Sequence, residues 1–303
     1  MRSNLRILAL GLLVAFTAGC ESTRWNWLKR DPQDSVAKAG TAPSVAGLVH
    51  YLNDNAGRVR TLKVDEAAID TSFENQTFSV RGRLFAAKPR NFRMKVMVVG
   101  KDELDIGSNP QEFWFWAAKN KDPYQYFCAY KDVDAGNIQG MPLPVQPEWV
   151  MEALGLGPYS SPEKYQLEAD AKTIRLIEKT KSPLGSPIRK VIVMQRQPVK
   201  SPQPQVTDFL LVDDRTGQEI CSAQVESTKV DRATGAILPY KMTLSVPSQR
   251  MKMVLRLDGL TVNEQIEPTV FVRQPMTGVD PYNLATGRTE SWGVQATQGI
   301  GPR

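Results

Sequence analysis

Polar and apolar residues alternate along most of this chain, and the period of that alternation changes once. From Ser44 to Val59, the residues Val45, Leu48, Val49, Leu52, Ala56 and Val59 recur at helical spacings. Ser44 follows Pro43 as an N-cap, so the segment predicts an amphipathic helix. Beyond Arg60 the period drops to two, the signature of half-buried strands. Phe78, Val80 and Leu84 alternate with Ser79, Arg81 and Arg83, and Phe92, Met94, Val96 and Val98 with Arg93 and Lys95. Tyr240, Met242, Leu244 and Val246 alternate with Lys241, Thr243 and Ser245; Met251, Met253, Leu255 and Leu257 follow in the same way. Further strands are expected near 104–108, 112–117, 126–130, 173–178, 190–196, 208–212 and 219–229.

The links are short. Val212 to Glu219 (VDDRTGQE) and Val230 to Ile237 (VDRATGAI) each place an aspartate ahead of Thr-Gly, which suits a tight reversal with a left-handed residue. The exception is a short helix over Pro147–Leu154, with Pro147 at N1 and Glu148 in the first turn, framed by Pro- and Gly-rich stretches that mark a loop or lid. No spacing for a parallel β-α-β crossover occurs. About eleven antiparallel strands cannot lie flat with both edges exposed. The predicted fold is therefore mainly β (α+β), an open half-barrel closed by the N-terminal helix and the short mid-chain helix around an apolar interior.

Composition fits a globular chain: 303 residues, 41% hydrophobic and 23% charged, with one histidine and three cysteines. That apolar content is too high for disorder, and three cysteines are too few for a disulfide scaffold. The single histidine, His50, lies off the apolar stripe of its helix and reads as a surface residue, which argues against histidine-rich metal sites. No GxSxG, P-loop, GxGxxG or HExxH motif is present. No catalytic residue, metal set or cofactor is assigned, and the protein reads as a binder rather than an enzyme. The net charge of +6 is modest and dispersed, so a nucleic-acid partner is not expected.

The N-terminus carries its own signal. Arg2 and Arg6 precede an apolar run from Ile7 to Phe16, an export sequence too short to span a bilayer. Thr17, Ala18, Gly19 and Cys20 resemble the bacterial lipobox, and that resemblance implies cleavage after residue 19 and acylation of Cys20, which would hold the protein to membrane lipid. Removing residues 1–19 lowers the net charge by two, to +4. Residues 20–43 read as the lipidated terminus and a flexible tether, 44–275 as the folded domain and 276–303 as a disordered tail. Trp25 and Trp27 sit among basic residues and suit either lipid headgroups or the rim of the domain. Glu21, following the acylated cysteine, leans towards the outer membrane by resemblance to proteobacterial lipoprotein sorting.

Several stretches together resemble a known family. LNDNAGRVRTL at the helix end, RGRLFAAKPRNFRMKV, LDIGSNPQEFWFW and CAYKDV look like the LolA/LolB-type lipoprotein carriers, and more closely their planctomycete-type outer-membrane lipoprotein-sorting relatives. The most specific pieces are Lys88-Pro89 with Phe92-Arg93, and Asp105 to Trp116. The resemblance implies an open antiparallel barrel wrapped over helices, an acyl chain of a lipid or lipoprotein as ligand, and the envelope, facing the periplasm, as location. A lipobox departs from the soluble shuttle of that family, so holding or inserting lipid at one membrane fits better than carriage between two.

Candidate ligand-lining residues are Phe92, Met94, Phe113, Trp114, Phe115, Trp116, Met242, Met251 and Met253. Four consecutive aromatics put bulky rings on both faces of one strand, and methionines give a deformable apolar wall. Core packing explains both features equally well. The alternative function is accordingly a non-enzymatic structural or interaction lipoprotein with a filled core and envelope protein partners. Cys128 and Cys221 either pair as a disulfide or stay as free buried thiols. Asp102, Glu103, Asp105, Asp132, Asp134, Asp213 and Asp214 read as solvated turn carboxylates. Arg81, Arg83, Lys88, Arg90, Arg93 and Lys95 read as a solvated sheet face that could also meet lipid phosphates.

Overall fold

A computed structural model of the protein describes residues 43–292 apart from 74–75, 121, 123, 142–145, 198–199 and 201–202. The expected signal peptide, Cys20, Trp25, Trp27, almost all of the tether and the last residues of the expected tail lie outside the described residues.

Helix α1 spans Val45–Gly57 and buries Leu48, Val49, Leu52 and Ala56 along one stripe. Ser44 is its N-cap: the Gly47 amide donates to Ser44 Oγ at 3.1 Å, satisfying one amide of the first turn. His50 points outward and pairs with Asp54 one turn on, 3.1 Å apart.

The strands follow as β1 (Thr61–Phe73), β2 (Gln76–Ala87), β3 (Asn91–Val98), β4 (Lys101–Ser108), β5 (Glu112–Ala117) and β6 (Gln125–Ala129). Two short helices intervene, α2 (Tyr130–Asp134) and α3 (Pro147–Ala153). Then come β7 (Tyr165–Ala169), β8 (Thr173–Lys181), β9 (Pro187–Gln195), β10 (Val206–Asp213), β11 (Glu219–Val230), β12 (Ile237–Val246), β13 (Met251–Val262), β14 (Pro281–Asn283) and β15 (Arg288–Thr289). All fifteen form one sheet in the order β15-β14-β6-β5-β4-β3-β2-β1-β13-β12-β11-β10-β9-β8-β7. Two meanders, β1–β6 and β7–β13, are joined through the antiparallel pair of β1 with β13.

The sheet is open, with β15 and β7 at its edges, and it curls. Lys88 Nζ, in the turn after β2, donates to the Ala56 carbonyl at the end of α1 (2.6 Å), and α1 also touches β7. On a flat sheet β2 and β7, eight strand spacings apart in the order, would be separated by about 38 Å. A helix of 13 residues is about 20 Å long. The sheet must wrap around α1 for both contacts to be made. Asparagines of the LNDNAG stretch fix the helix further. Asn55 Nδ2 donates to the Ile237 carbonyl (2.9 Å) while its Oδ1 accepts from the Ile237 amide (2.7 Å), and Asn53 Oδ1 accepts from the Tyr159 amide (3.0 Å).

Two expectations are corrected. Among the described residues the sheet has fifteen strands where about eleven were expected; β1, β7, β14 and β15 are additional. The segment from residue 276 is not disordered through its described part. β14 pairs in parallel with β6, the Gln125 amide donates to the Asp280 carbonyl (3.0 Å), and Leu284 packs with Phe113, Cys128, Tyr130 and Ile138. Backbone hydrogen bonding and one inserted leucine order a segment whose composition alone carries no apolar period.

The two Asp-Thr-Gly reversals form as expected. Asp213 Oδ1 accepts from the amides of Arg215 and Thr216, and Asp231 Oδ2 accepts from the amide and hydroxyl of Thr234. Gly217 and Gly235 then take φ of 71° and 68°. The Thr216 amide holds the Asp213 carboxyl below the usual carboxylate range, and the Thr234 hydroxyl and amide do the same for Asp231. Both groups therefore contribute stability that is fully present above the ordinary carboxylate pKa and is lost as pH falls from there through the lowered folded-state value. Replacing both aspartates with alanine is expected to shrink the difference in thermal midpoint between about pH 7 and about pH 3. An unchanged pH profile would show that these turns play no part in acid sensitivity.

Candidate functional site

Cross-strand register sets what faces α1 and α3. Leu167, Leu176, Ile192, Phe209 and Ala223 stand side by side across β7 to β11, and Leu244 and Met253 continue the row. One spacing away, Tyr165, Glu178, Lys190, Leu211 and Cys221 form a second row. This inner face is apolar except where Glu178 lies opposite Lys190.

The cover over this face comes from α1, α3 and the chain after α3. Pro147 at N1 suits the start of α3, because it lacks an amide where the helix needs none. Trp149, Met151 and Ala153 point down, and Leu154, Leu156 and Tyr159 extend the cover. Both carboxylates of α3 are held by cations from the sheet side. Glu148 Oε1 is 3.1 Å from Arg90 Nε, and Glu152 accepts from Lys190 Nζ. Burial raises the Glu152 carboxyl above the usual carboxylate range, while Lys190 pulls it down and Glu178 and Glu148 push it further up.

Most of the residues expected to line a cavity pack instead among other buried side chains. Phe92, Met94, Met242 and Met253 are buried in the main core, with Met251 packed half-buried against it. Met97 is exposed at the β3–β4 hairpin, beside Val98 and Val99. A narrow recess, open to solvent at its mouth but too tight for a water molecule, lies between α3 and the sheet. It is lined by Trp149, Glu152, Tyr165, Glu178, Lys190, Val191, Ile192 and Phe209, none of them among the expected lining residues.

The aromatic strand packs on both faces. Phe113 joins Cys128, Tyr130, Ile138 and Leu284 in a second cluster, and Phe115 shares its side of the sheet, half-buried. Trp114 and Trp116 are buried on the opposite side. There, Trp114 Nε1 donates to Asp105 Oδ1 (3.2 Å), and Arg93 forms a two-pronged pair with the same carboxylate (2.9 and 2.7 Å). Arg93 also donates to the carbonyls of Val270 and Val272, which cross this outer face. Arg93 and Asp105 are thus buried partners, not the solvated residues that the alternation suggested. Arg81, by contrast, is exposed and pairs with Glu66.

Cys128 and Cys221 are free, buried and in different clusters, so the disulfide alternative is not realised. Burial, reinforced by Asp132, pushes the Cys128 thiol up to about 11, and burial raises Cys221 as well. Both stay protonated at neutral pH and offer no thiolate nucleophile. Among the described residues no group of three or more His, Cys, Asp or Glu side chains is placed to hold a metal ion, and no helix is long and apolar enough to cross a membrane.

No family model and no curated protein matches the sequence. Among solved structures the chain is similar to an outer-membrane lipoprotein-sorting protein domain from Vibrio parahaemolyticus, at 11% identity over 74% of this chain and 95% of that one, with a TM-score of 0.48. It is similar to a DUF1329 family protein from Desulfovibrio piger, at 8% identity over 76% and 98% with a TM-score of 0.47. It is also similar to the LolA superfamily protein NE2245 from Nitrosomonas europaea, at 10% identity over 74% and 97% with a TM-score of 0.43. The described residues themselves form a mainly β architecture, with a large open sheet and few helices.

Proposed function

We propose that the protein binds an acyl chain of a lipid or lipoprotein between α3 and the inner face of the sheet. In this reading it works in the bacterial envelope, anchored through acylated Cys20, with the outer membrane favoured by Glu21. The observation that carries the reading is the construction of the cover. α3 lies over an apolar sheet face, yet Glu152 is hydrogen-bonded to Lys190 and Glu148 is in ion-pair contact with Arg90, so polar contacts hold down a short apolar lid. Lifting that lid bares Trp149, Ile192 and Phe209 without disturbing a strand. The structure described above is then the closed, chain-free form.

Native mass spectrometry of the protein purified in mild detergent is the test. A co-purified lipid mass is expected, and Glu148→Gln with Glu152→Gln, which loosens the lid, is expected to speed uptake of a fluorescent fatty acid several-fold. A ligand-free protein that takes up no probe would sink the reading. The packing of most expected lining residues among buried side chains favours a second role, a tethered interaction protein without a lipid ligand, and that result would select it. Cys20→Ser separates the anchor from the ligand: it is expected to move the protein out of the membrane fraction.

A further inference from the structure

We propose that the recess between α3 and strands β7–β9 is a binding site for a primary ammonium group, such as an aminophospholipid headgroup carries. The inference rests on the acyl-chain reading only for the source of that group; the chemistry comes from the recess itself. Register places Tyr165, Glu178 and Lys190 side by side on three adjacent strands, and α3 brings Glu152 to the same point. Two carboxylates therefore face one lysine. Lys190 Nζ is hydrogen-bonded to Glu152 and stands 3.9 Å from Glu178 Oε2, beyond hydrogen-bond reach.

Glu178 is only 7% exposed. Its Oε1 accepts from Ser160 Oγ at 2.6 Å, whereas Oε2 is shielded from solvent and has no hydrogen-bond partner. A buried carboxylate oxygen without a donor is unfavourable and asks for one. An ammonium group fits on three counts. It brings N–H donors for Oε2, it balances the second carboxylate, and it is attracted by aromatic side chains such as Trp149, Tyr165 and Phe209, which line the recess. A phosphate or carboxylate would find only Lys190, already held by Glu152, and would leave Glu178 Oε2 without a donor. Because the recess is too tight for water, entry requires α3 to shift, the movement that also opens the apolar face.

The experiment compares two short-chain lipids, dihexanoylphosphatidylethanolamine and dihexanoylphosphatidylglycerol, by calorimetric titration of the full chain in mild detergent. The ethanolamine lipid is expected to bind about tenfold tighter, and Glu178→Gln is expected to remove the preference. Equal binding of the two lipids, or a preference that survives in Glu178→Gln, overturns the ammonium site and leaves the acyl-chain reading standing. If neither lipid binds, the acyl-chain reading fails and free ethanolamine decides. A raised thermal midpoint in the wild type but not in Glu178→Gln upholds a site for a free amine; no shift overturns the proposal. The wild-type comparison needs no variant, so the test holds even if Glu178→Gln does not fold.

Discussion

Replacing Asp105 with alanine is expected to lower folding stability by about 3–5 kcal/mol, the loss that follows when one partner of a buried ion pair is removed. The side chains of Arg93 and Asp105 are 7% and 2% exposed, so solvent screens neither. The carboxylate receives Nε and Nη2 of Arg93 together with the indole N–H of Trp114. Its removal strands a guanidinium under the chain that crosses at Val270 and Val272, and leaves the indole without its acceptor. Urea denaturation would measure the loss, and limited proteolysis should show the segment beyond Val262 released early. Replacing both partners, Arg93→Met with Asp105→Leu, is expected to recover a large part of it, because no charge is then left buried. It should not recover all, since the carbonyls of Val270 and Val272 lose their donor. A change below about 1 kcal/mol for Asp105→Ala would mean that water reaches the guanidinium.

Gly107→Ala is expected to cost about 3 kcal/mol, the upper part of the range for forcing one extra group into a packed site. A Cβ at this position would lie 2.1 Å from Cζ2 and 2.4 Å from Cε2 of Trp114. The indole cannot swing away, because it is 1% exposed and tied to Asp105. The requirement is one of space, not of backbone conformation, which gives a direct check. Trp114→Phe, harmful alone, should partly rescue Gly107→Ala by shortening the ring that lies across it. Thermal unfolding of the two single variants and the double variant would settle this, and simple additivity would contradict the contact. The same geometry makes Trp114→Ala a poor probe of ligand binding, since the fold itself depends on that ring.

Much of the fold was legible because long elements keep their period. α1 emerges from its spacing and Ser44 cap, whereas α3 is signalled by Pro147 and Glu148 at its start and β5 by its run of aromatics. β1 did not emerge, and the reason is local. Leu62 and Val64 are buried, then Ala67 and Ile69, so the buried positions change parity at an irregularity between Val64 and Ala67. The Arg93–Asp105 pair looks solvated in the sequence because alternation reports two faces but not what covers the second one. Here the cover is the segment near Val270, which has no apolar period of its own. The recess was partly visible. Ile174, Leu176 and Glu178 share a parity, as do Lys190, Ile192 and Met194, so a glutamate and a lysine each sit on an inward-facing row. Only the register of β8 against β9 unites them.

The pairing of β1 with β13 bears on how the chain reaches this structure. Every other antiparallel contact in the sheet joins strands that follow each other in sequence, so the hairpins of each meander close over short loops and can form early. Leu62 against Val262 closes a loop of most of the chain. Loop entropy grows only slowly with length, so the seam is affordable at equilibrium, yet as the antiparallel pairing of longest sequence separation it is expected to form after the local hairpins. α1 immediately precedes β1 and touches the far meander at Ile237 and β7. The helix therefore acts as the clasp of a late folding step, and variants at Asn55 should slow refolding more than their distance from the sheet's centre would suggest.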